Sequence, residues 1–600
     1  MPLQKYSVNQ HLIETLLAWV KSGEIAIPEI QRPFVWDASQ VRDLLDSLYQ
    51  GYPVGYIIVW KNPDVRLKDG SISAGKKVLI DGQQRITALS AALVGQQVIN
   101  KEYKQVRIRI AFNPKEERFE VTNPAIEKDK AWIADIAPVM QGEVGLLKLI
   151  RQYREANPEV DEDTLEKVFT QLTGITKKQI GLIELAAELD IETVTEIFIR
   201  INREGVTLSQ ADFAMSKIAA NETYGGNVLR KAIDYFCHLA VAPEFYAFIE
   251  GNDPDFAKTD YFHAMRWLRN ENDDLYDPSY SDMLRVAFVS QFARGKLADL
   301  VGLLSGRNFE TRSYEDEIAA ASFETLNKGV MEFMNETNFK RFLMIIKSAG
   351  FVDSSLLQSR QSALNFAYAL YLKLRRDNYL ADQIEQYVRR WFALSLLIGR
   401  YSGQVETRFE QDIRRIDSGD FGEYLAQVEA AELSDTFWTV GLVQALRTSN
   451  GNHPAFKCFI ASQVKANDRG FLSKDITVRS MLEHRGDVHH IFPRDYLKKQ
   501  LGLKRSEYNQ VANYVYTQQE INIAIGNEPP QEYMEKVRQQ CDGGDLVYGS
   551  ISGREDMREN LEENAIPVEF FEGGLFEYED FLAERRRAIA AKLKDYYFSL

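Results

Sequence analysis

The chain has 600 residues, of which 72 are Lys or Arg and 87 are Asp or Glu, so its formal charge is −15. Hydrophobic residues make up 45% and charged residues 26% of the chain, which excludes collagen-like, low-complexity and wholly disordered proteins. The sequence lacks an apolar run of the ~20 residues that a membrane-spanning helix needs, and its start does not resemble a secretory signal. Its three cysteines lie far apart, so we expect no disulfide framework. These features predict a soluble, cytoplasmic protein of roughly two or three domains that does not associate with membranes.

Strand and helix patterns alternate near the start of the chain. Apolar residues recur at helical spacing after Ser39, the expected helix cap, and Gly51 is expected to end this helix. Residues 106–112 alternate between apolar and polar, which predicts one half-buried strand. The elements predicted in this region are a helix over residues 41–48, strands over 56–60 and 78–80, a helix over 86–93 and the strand over 106–112.

From about residue 132 to residue 446 the pattern is mostly helical and shows no repeats. A helix over residues 194–201 is followed by Gly205 as a C-terminal cap, and Ser209 with Asp212 resembles a capping box for the next helix. A last helix is predicted from Tyr578 onward.

Two basic segments have simple interpretations. Residues 585–587 are three consecutive arginines of the last helix, which we expect to form a solvated face, with DNA contact as the alternative. Residues 70–77 superficially fit a phosphate-binding P-loop. They precede a strand and end in Lys77, whereas a P-loop follows a strand and ends in Ser or Thr, so we predict an ordinary loop.

The strongest chemical pattern is Asp-Val-His-His-Ile-Phe-Pro over residues 487–493. A strand places His489 and His490 on opposite faces, so one histidine can bind a metal while the other accepts a proton from water. A strand is predicted again at residues 513–516, followed by a helix. Strand, loop, strand and helix in this order are typical of the ββα-metal site, which hydrolyses phosphodiesters with one divalent cation and one histidine base.

The segment between the two predicted strands is basic and is expected to be a loop that contacts DNA phosphates. Thr517 with Glu520 is expected to cap the helix that follows. The candidates for DNA contact are Arg494, Lys498, Lys499, Lys504 and Arg505.

Residues 490–493 resemble the Asp/Glu-His-Ile-x-Pro signature of the HNH nuclease family. The resemblance implies that His490 is the general base, that Asn513 orients it and that Asn522 is a metal ligand. His489 stands where many members carry Asp or Glu, so the further metal ligand is either His489 or Asp487. Mg²⁺ or Mn²⁺ is the expected metal, although a histidine ligand shifts the preference from Mg²⁺ towards Mn²⁺, Ni²⁺ or Zn²⁺.

A second chemical pattern is Asp-Gly-Gln-Gln-Arg over residues 81–85, between a predicted strand and a predicted helix. Gly82 can adopt backbone angles that turn amides inward, the N-terminus of a helix attracts anions, and Arg85 can bind a phosphate with its planar guanidinium. A plain turn capped by Asp81 is the alternative.

Together with residues 27–36, 51–55 and 198–202, this motif resembles the ParB/sulfiredoxin-like nucleotidase domain of GmrSD-type, modification-dependent (type IV) restriction endonucleases. In that family the domain binds and hydrolyses a nucleoside triphosphate, and an HNH domain at the other end of the chain cuts DNA. The nucleotide-binding residues that the resemblance implies are Asp81, Gly82, Gln83, Gln84, Arg85, Gln31, Arg32 and Asn202.

We therefore predict an α+β multidomain protein. Residues 1–221 are expected to form the ParB/sulfiredoxin-like α/β domain, residues 222–447 a largely helical middle, and residues 448–600 the ββα-metal nuclease domain. The middle resembles the family only loosely, through residues 400–403.

The resemblance implies a nucleoside-triphosphate-regulated, metal-dependent endonuclease that restricts modified double-stranded phage DNA. A homodimer is expected because cutting both strands needs two nuclease sites or two visits. The alternatives are a nucleotide-switched DNA-binding regulator with an inactive HNH remnant and a nuclease directed at RNA. Four aromatic residues near the amino-terminal motif are expected to be core, with the wall of a modified-base cavity as the alternative: Phe34, Trp36, Tyr52 and Tyr56.

Overall fold

The structure is a computed structural model. It describes residues 5–26, 36–61, 77–99, 105–186, 189, 197, 210–219, 221, 223–271, 273–311, 313, 315–484 and 488–600. The chain forms two compact units, one of Met1–Glu271 with Val301–Ala320 and the other of Asn272–Leu300 with Ala321–Leu600. The three-part division at residues 221 and 447 stays a prediction.

The first unit is built on a five-stranded mixed sheet in the order β1-β9-β3-β4-β2. β3 is parallel to β9 and antiparallel to β4, whereas β1 is antiparallel to β9. Two separate hairpins pair β5 with β6 and β7 with β8. The strands are β1 (Tyr6–Leu12), β2 (Ile25–Ala26), β3 (Tyr56–Lys61), β4 (Lys77–Asp81), β5 (Val98–Ile99), β6 (Gln105–Val106), β7 (Ile110–Asn113), β8 (Arg118–Val121) and β9 (Gln179–Leu185).

Successive side chains of a strand point to opposite sides, and the central strand β3 is buried on both of its faces. Ile57 and Val59 of β3 belong to the main core, which the helices of this unit cover. Ile58 and Trp60 belong to a smaller cluster on the other face, together with Leu185.

The α-helices of the first unit surround the sheet and continue beyond it. They are Ile13–Ser22, Ala38–Gln50, Gln83–Leu93, Ala137–Met140, Leu146–Ala156, Glu162–Thr173, Gln210–Ala219, Gly226–Val241, Tyr246–Asn252 and Asp260–Ala264. The helices Leu297–Leu304 and Asp316–Met334 contain residues of both units.

The amino-terminal predictions are confirmed with some corrections. The predicted helix over residues 41–48 is part of Ala38–Gln50 and ends at Gly51 as expected, but its cap is Asp37, whose carboxylate accepts the Gln40 N–H, and not Ser39. The strand predicted over residues 106–112 is broken into β6 and β7. Between them, Arg107 leaves the strand path and binds the Asp135 carboxylate at 2.9 Å.

Other predicted features lie outside the described residues. These are the loop over residues 70–76, most of the helix over 194–201, Gly205 and the proposed cap Ser209. The helix expected after Ser209 is present as Gln210–Ala219. The mostly helical region predicted from residue 132 also contains β9, a strand that the sequence pattern missed.

The second unit is almost entirely helical, as predicted for the middle of the chain. Its α-helices are Tyr280–Phe292, Glu336–Ser348, Gln361–Arg376, Ala381–Leu397, Val405–Asp417, Phe421–Glu432, Leu442–Ala445, Pro454–Ala466, Val478–Glu483, Arg494–Gln500, Arg505–Tyr508, Gln519–Ile525, Pro530–Cys541, Arg554–Glu563, Val568–Glu572 and Tyr578–Phe598. Its two strands, β10 (Val488–His490) and β11 (Tyr514–Tyr516), form a small antiparallel sheet.

Residues 400–403, which carry the loose family resemblance, begin with a buried ion pair. The Arg400 guanidinium donates to both oxygens of the Asp412 carboxylate at 2.8 and 2.6 Å, and it lies over the Trp391 ring. The hydroxyls of Tyr401 and Tyr424 donate to the same carboxylate at 2.8 Å each. Removal of either charge would leave the other buried without its partner, which costs about 3–5 kcal/mol.

The structure as a whole is a mixed α+β fold with mostly helical content. Within the described ranges, no helix combines the length and the apolar character that a bilayer crossing requires. All three cysteines are buried free thiols, in agreement with the expected absence of disulfides.

Candidate functional site

The strand–strand–helix pattern predicted around His490 is present in the second unit. β10 and β11 are antiparallel, with His490 opposite Tyr514 and His489 opposite Val515. The helix Gln519–Ile525 follows β11. Asp487, the alternative metal ligand, lies outside the described residues.

His489, His490 and Asn522 line a single cleft of about 370 Å³, which we call the His489 cleft. It is bounded as well by residues of the helix Arg494–Gln500, among them Asp495. The structure therefore brings together the predicted base and two predicted metal ligands. Among the described residues, no group of three or more His, Cys, Asp or Glu side chains could hold a metal. A site here would use imidazole nitrogen and amide oxygen, donors that suit Mn²⁺ and other divalent transition metals.

The helix that carries Asn522 starts differently from the prediction. Gln518 is its N-cap, and no side-chain cap is formed. Thr517, expected to form a capping box with Glu520, is buried and donates its hydroxyl to the Phe471 carbonyl at 2.6 Å. The predicted box is wrong because this hydroxyl joins β11 to the preceding chain instead.

His490 is half-buried and is held by two neighbours. Its Nε2 lies 2.9 Å from Oδ1 of Asn509, and its ring meets the Tyr514 ring edge to face at 5.1 Å. Burial lowers the pKa of His490 below 6.5, an effect that the charges of Arg494 and His489 increase and the Asn509 hydrogen bond opposes. The imidazole is therefore neutral at pH 7, the state in which a histidine accepts a proton. With Nε2 donating to Asn509, Nδ1 carries the lone pair.

Asn513, which the resemblance assigns to orienting His490, makes its contacts elsewhere. Its side chain is fully buried, its Oδ1 accepts the Phe492 N–H at 2.8 Å, and its Nδ2 donates to the Phe492 carbonyl at 3.1 Å. Asn513 thus fixes the turn that follows His490, whereas the direct partner of His490 is Asn509. No local sequence pattern marks Asn509, since only the fold distinguishes it from the other polar residues of this segment.

Side chains of the carboxy-terminal helix Tyr578–Phe598 are hydrogen-bonded to the segment around Asn509. The Tyr578 hydroxyl lies 3.0 Å from the Tyr508 carbonyl, Arg585 donates to the Ala512 carbonyl at 2.8 Å, and Arg586 donates to Gln510 Oε1 at 3.2 Å. These three side chains brace the chain on both sides of Asn509.

The expectation that residues 585–587 form a solvated face is wrong for two of the three arginines. Arg585 is fully buried and Arg586 nearly so, while Arg587 is exposed and pairs with Glu584. Burial lowers the pKa of Arg585 to about 9, which still leaves it charged at pH 7. Its guanidinium donates to two backbone carbonyls, since Nη2 also donates to the Asn564 carbonyl at 3.2 Å.

The five predicted DNA-contact residues are all exposed. The segment is not a loop, because it folds into the short helices Arg494–Gln500 and Arg505–Tyr508. Asp495 pairs with two of these cations, at 3.4 Å from Arg494 and 3.2 Å from Lys499.

A second cleft, of about 510 Å³, also contains His490, and we call it the Arg505 cleft. It shares Val488, His490 and Arg494 with the His489 cleft and is otherwise lined by different residues. Its further lining residues are Arg505, Tyr508, Asn509 and Tyr514.

In the first unit, the Asp-Gly-Gln-Gln-Arg motif forms the turn from β4 into the helix Gln83–Leu93. Gly82 has φ +94°, a left-handed conformation that favours glycine, and a Cβ there would lie 3.2 Å from the Ile57 Cα. The expectation that Gly82 provides an unusual turn is thus confirmed. The turn places the first amides of an eleven-residue helix at the end of β4.

Arg85 binds its own chain in this structure. Nη1 donates to the Tyr56 carbonyl at 2.5 Å and Nη2 binds the Asp81 carboxylate at 3.1 Å. The guanidinium packs on Gly55, where a Cβ would lie 2.7 Å from Nη1. Arg85 therefore ties the start of β3 to the end of β4. Gln31, Arg32 and Asn202, the remaining nucleotide candidates, lie outside the described residues.

The aromatic residues near this motif are mostly not core, contrary to expectation. Tyr52 is 62% and Tyr56 55% exposed, and Trp36 is half-buried at the edge of the main core. Tyr56 lies across Gly181 of β9, where a Cβ would come within 2.5 Å of its ring. Phe34 lies outside the described residues.

Comparison with known proteins points to one family. Residues 13–219 match the family model described as the N-terminal domain of the GmrSD restriction endonuclease. The uncharacterized protein MJ0686 of Methanocaldococcus jannaschii is 20% identical over 569 residues, which span 88% of this chain and 87% of that protein. The matched residues include the β4 turn, Arg85 and every strand of the sheet except β1. Residues 13–219 are thus similar to the N-terminal domain of the GmrSD restriction endonuclease, whose match covers about a third of the chain.

Proposed function

We propose that the protein is a modification-dependent restriction endonuclease, which hydrolyses phosphodiesters in modified double-stranded foreign DNA under the control of a nucleoside triphosphate. The observation that carries the proposal is the cleft in which His489, His490 and Asn522 lie together beside exposed basic side chains. The family match of residues 13–219 supports DNA as the substrate class.

His490 is the proposed general base. Its neutral imidazole accepts a proton from the attacking water through Nδ1, while Asn509 holds the ring by its hydrogen bond to Nε2. Asn513 acts one step away, because it fixes the backbone of Phe492 and therefore the end of β10.

The donors of the His489 cleft fit a divalent metal, with His489 and Asn522 as its ligands and Asp487 as the alternative carboxylate ligand. Such an ion, Mg²⁺ or Mn²⁺, supplies positive charge for the scissile phosphate and the leaving oxygen. The exposed cations of the helices Arg494–Gln500 and Arg505–Tyr508 bind the phosphates on either side.

The first unit is the proposed nucleotide-binding domain. The amides at the start of the helix Gln83–Leu93 bind phosphate oxygens, and the side chains of Gln83 and Gln84 stand in the same first turn. Arg85 and Asp81 hold the turn in shape through their ion pair. Gln31, Arg32 and Asn202 complete this proposed site, whose occupancy controls cleavage, and the active form is a homodimer.

Cleavage by the purified protein tests the proposal. The substrates are unmodified plasmid, DNA with glucosylated hydroxymethylcytosine and phosphorothioate DNA, each with Mg²⁺ or Mn²⁺ and with or without each nucleoside triphosphate. We expect cutting of one modified substrate only, and stimulation or arrest of that cutting by one triphosphate.

Two histidine variants provide the matched controls. His490→Ala is expected to abolish cutting, whereas His484→Ala is not, since His484 is exposed and its ring bonds the Ser480 carbonyl of the preceding helix. DNA binding and nucleotide hydrolysis without cutting under every condition would contradict the proposal and support the nucleotide-switched regulator. Equal cutting of RNA would contradict the assignment of DNA as the substrate.

A further inference from the structure

The Arg505 cleft shares His490 with the His489 cleft, and the proposed hydrolysis gives no role to the two tyrosines that line it. We propose that this cleft binds one unpaired nucleotide of the cleaved strand, adjacent to the scissile phosphate, with its base against tyrosine rings and its phosphate on arginines. The inference rests on the proposed nuclease function and names a substrate subsite of that same centre.

The size and lining of the cleft suit a nucleotide. Its volume of about 510 Å³ lies within the range of small-ligand sites and exceeds what a bound ion or water cluster needs. Tyr508 and Tyr514 present half-buried aromatic side chains to it, and Asn509 provides an amide beside them. Every nucleobase has a face that stacks on an aromatic ring, so this lining accepts a base without selecting its sequence.

The charge of the cleft suits a phosphate. Arg505 is exposed, and among the described residues it has no carboxylate within ion-pair distance. Arg494 lies 3.4 Å from Asp495 and is 64% exposed, so its guanidinium remains accessible. The overall charge of −15 does not cancel this local field, because salt screens exposed charges beyond about 8 Å.

The position of His490 links the two clefts. Because Val488, His490 and Arg494 line both clefts, the two clefts adjoin at these residues. A nucleotide seated in the Arg505 cleft would therefore fix the strand on one side of the scissile bond. Asn509 is hydrogen-bonded to His490 and lines this cleft, so it contacts both the histidine that acts as general base and the bound nucleotide.

Binding of single-stranded oligonucleotides tests the subsite without requiring catalysis. The affinity of fluorescent oligothymidine and of the same backbone without bases is measured in EDTA over a series of salt concentrations. The proteins are wild type, Tyr508→Leu, Arg505→Gln and the control Arg587→Gln, whose exposed arginine pairs with Glu584. Leucine keeps the packing of Tyr508 against its core but removes the stacking face.

We expect wild type to prefer the base-bearing strand by about 10-fold and Tyr508→Leu to lose that preference. Arg505→Gln should weaken both strands equally and lower the slope of log affinity against log salt by about 0.7, whereas Arg587→Gln should change neither. Arg505 is exposed, so this variant keeps the fold and tests the phosphate contact by itself.

Equal binding of both strands by wild type, or a base preference that survives Tyr508→Leu, would overturn the subsite. So would identical salt slopes for Arg505→Gln and Arg587→Gln. These outcomes are independent of the nuclease, because a protein that binds as expected but never cuts contradicts only the proposed function.

Discussion

Substitution of two asparagines separates the contact that orients His490 from the contact that holds the fold. Asn509 is half-buried and makes one hydrogen bond to the His490 ring, at 2.9 Å. A net hydrogen bond is worth about 0.5–1.5 kcal/mol, so Asn509→Ala should slow cleavage about 10-fold and lower the free energy of unfolding by no more than about 1.5 kcal/mol.

Asn513→Ala should act in the opposite way. This amide is fully buried, and its loss leaves the N–H and the carbonyl of Phe492 without their partners. At about 1–3 kcal/mol for each of these two buried unsatisfied groups, we expect the free energy of unfolding of the second unit to fall by about 2–6 kcal/mol.

The assays are single-turnover cleavage with Mn²⁺ and thermal unfolding of each variant. In the metal-free protein, NMR titration adds a direct readout. Asn509→Ala should lower the pKa of His490 further, because the Asn509 hydrogen bond raises that pKa. The reasoning is refuted if Asn509→Ala cleaves like wild type, or if Asn513→Ala loses cleavage while its unfolding is unchanged.

Three further predictions concern charged side chains that are buried or hydrogen-bonded. Arg585→Met should speed hydrogen exchange of residues 507–513 about 10-fold or more, because the Ala512 carbonyl loses its donor. Mass spectrometry of peptic fragments measures the exchange rate, and an unchanged rate would contradict the prediction. Burial raises the pKa of Asp468 from 3.8 to about 6. The folded state therefore holds this proton more tightly than the unfolded state, and the contribution of Asp468 to stability is greatest below pH 4. As the pH rises to about 6, the free energy of unfolding falls by up to about 3 kcal/mol. Asp468→Asn should remove that dependence from the melting temperature measured between pH 4 and 7, and an unchanged profile would show that Lys592 compensates the carboxylate fully. Arg85→Ala should abolish the response of cleavage to nucleoside triphosphate, since the turn at Asp81 loses its tie to β3; a variant that responds like wild type would refute this coupling.

The strands show which parts of the fold the sequence could predict. β3 and β4 are buried apolar runs next to turn residues, and the pattern found both. β9 was missed although its buried residues alternate, because its place depends on pairing with β1 and β3 and not on local preference alone. β1 is mostly exposed, Tyr6 and Val8 included, so no buried face marks it as a strand and its place in the sheet is decided by its partner β9.

The candidate site likewise contains residues that the sequence predicts and residues that only the fold identifies. His489, His490 and Asn522 follow a local pattern of fixed chain order, and the structure brings them to one cleft. Asn509 reaches His490 only because the intervening segment folds into two short helices. Arg585 could not be separated from Arg587 in the sequence, since burial depends on which face of the helix packs against the segment around Ala512.

The most direct test of the account compares single-turnover cleavage of modified DNA by wild type, His490→Ala and His484→Ala. A positioned general base contributes about 10²–10⁴ in rate, so His490→Ala should lose that factor while His484→Ala cleaves normally. Cleavage by His490→Ala at the wild-type rate would contradict the assignment of His490 as the general base and, with it, the proposed catalytic site between the two clefts.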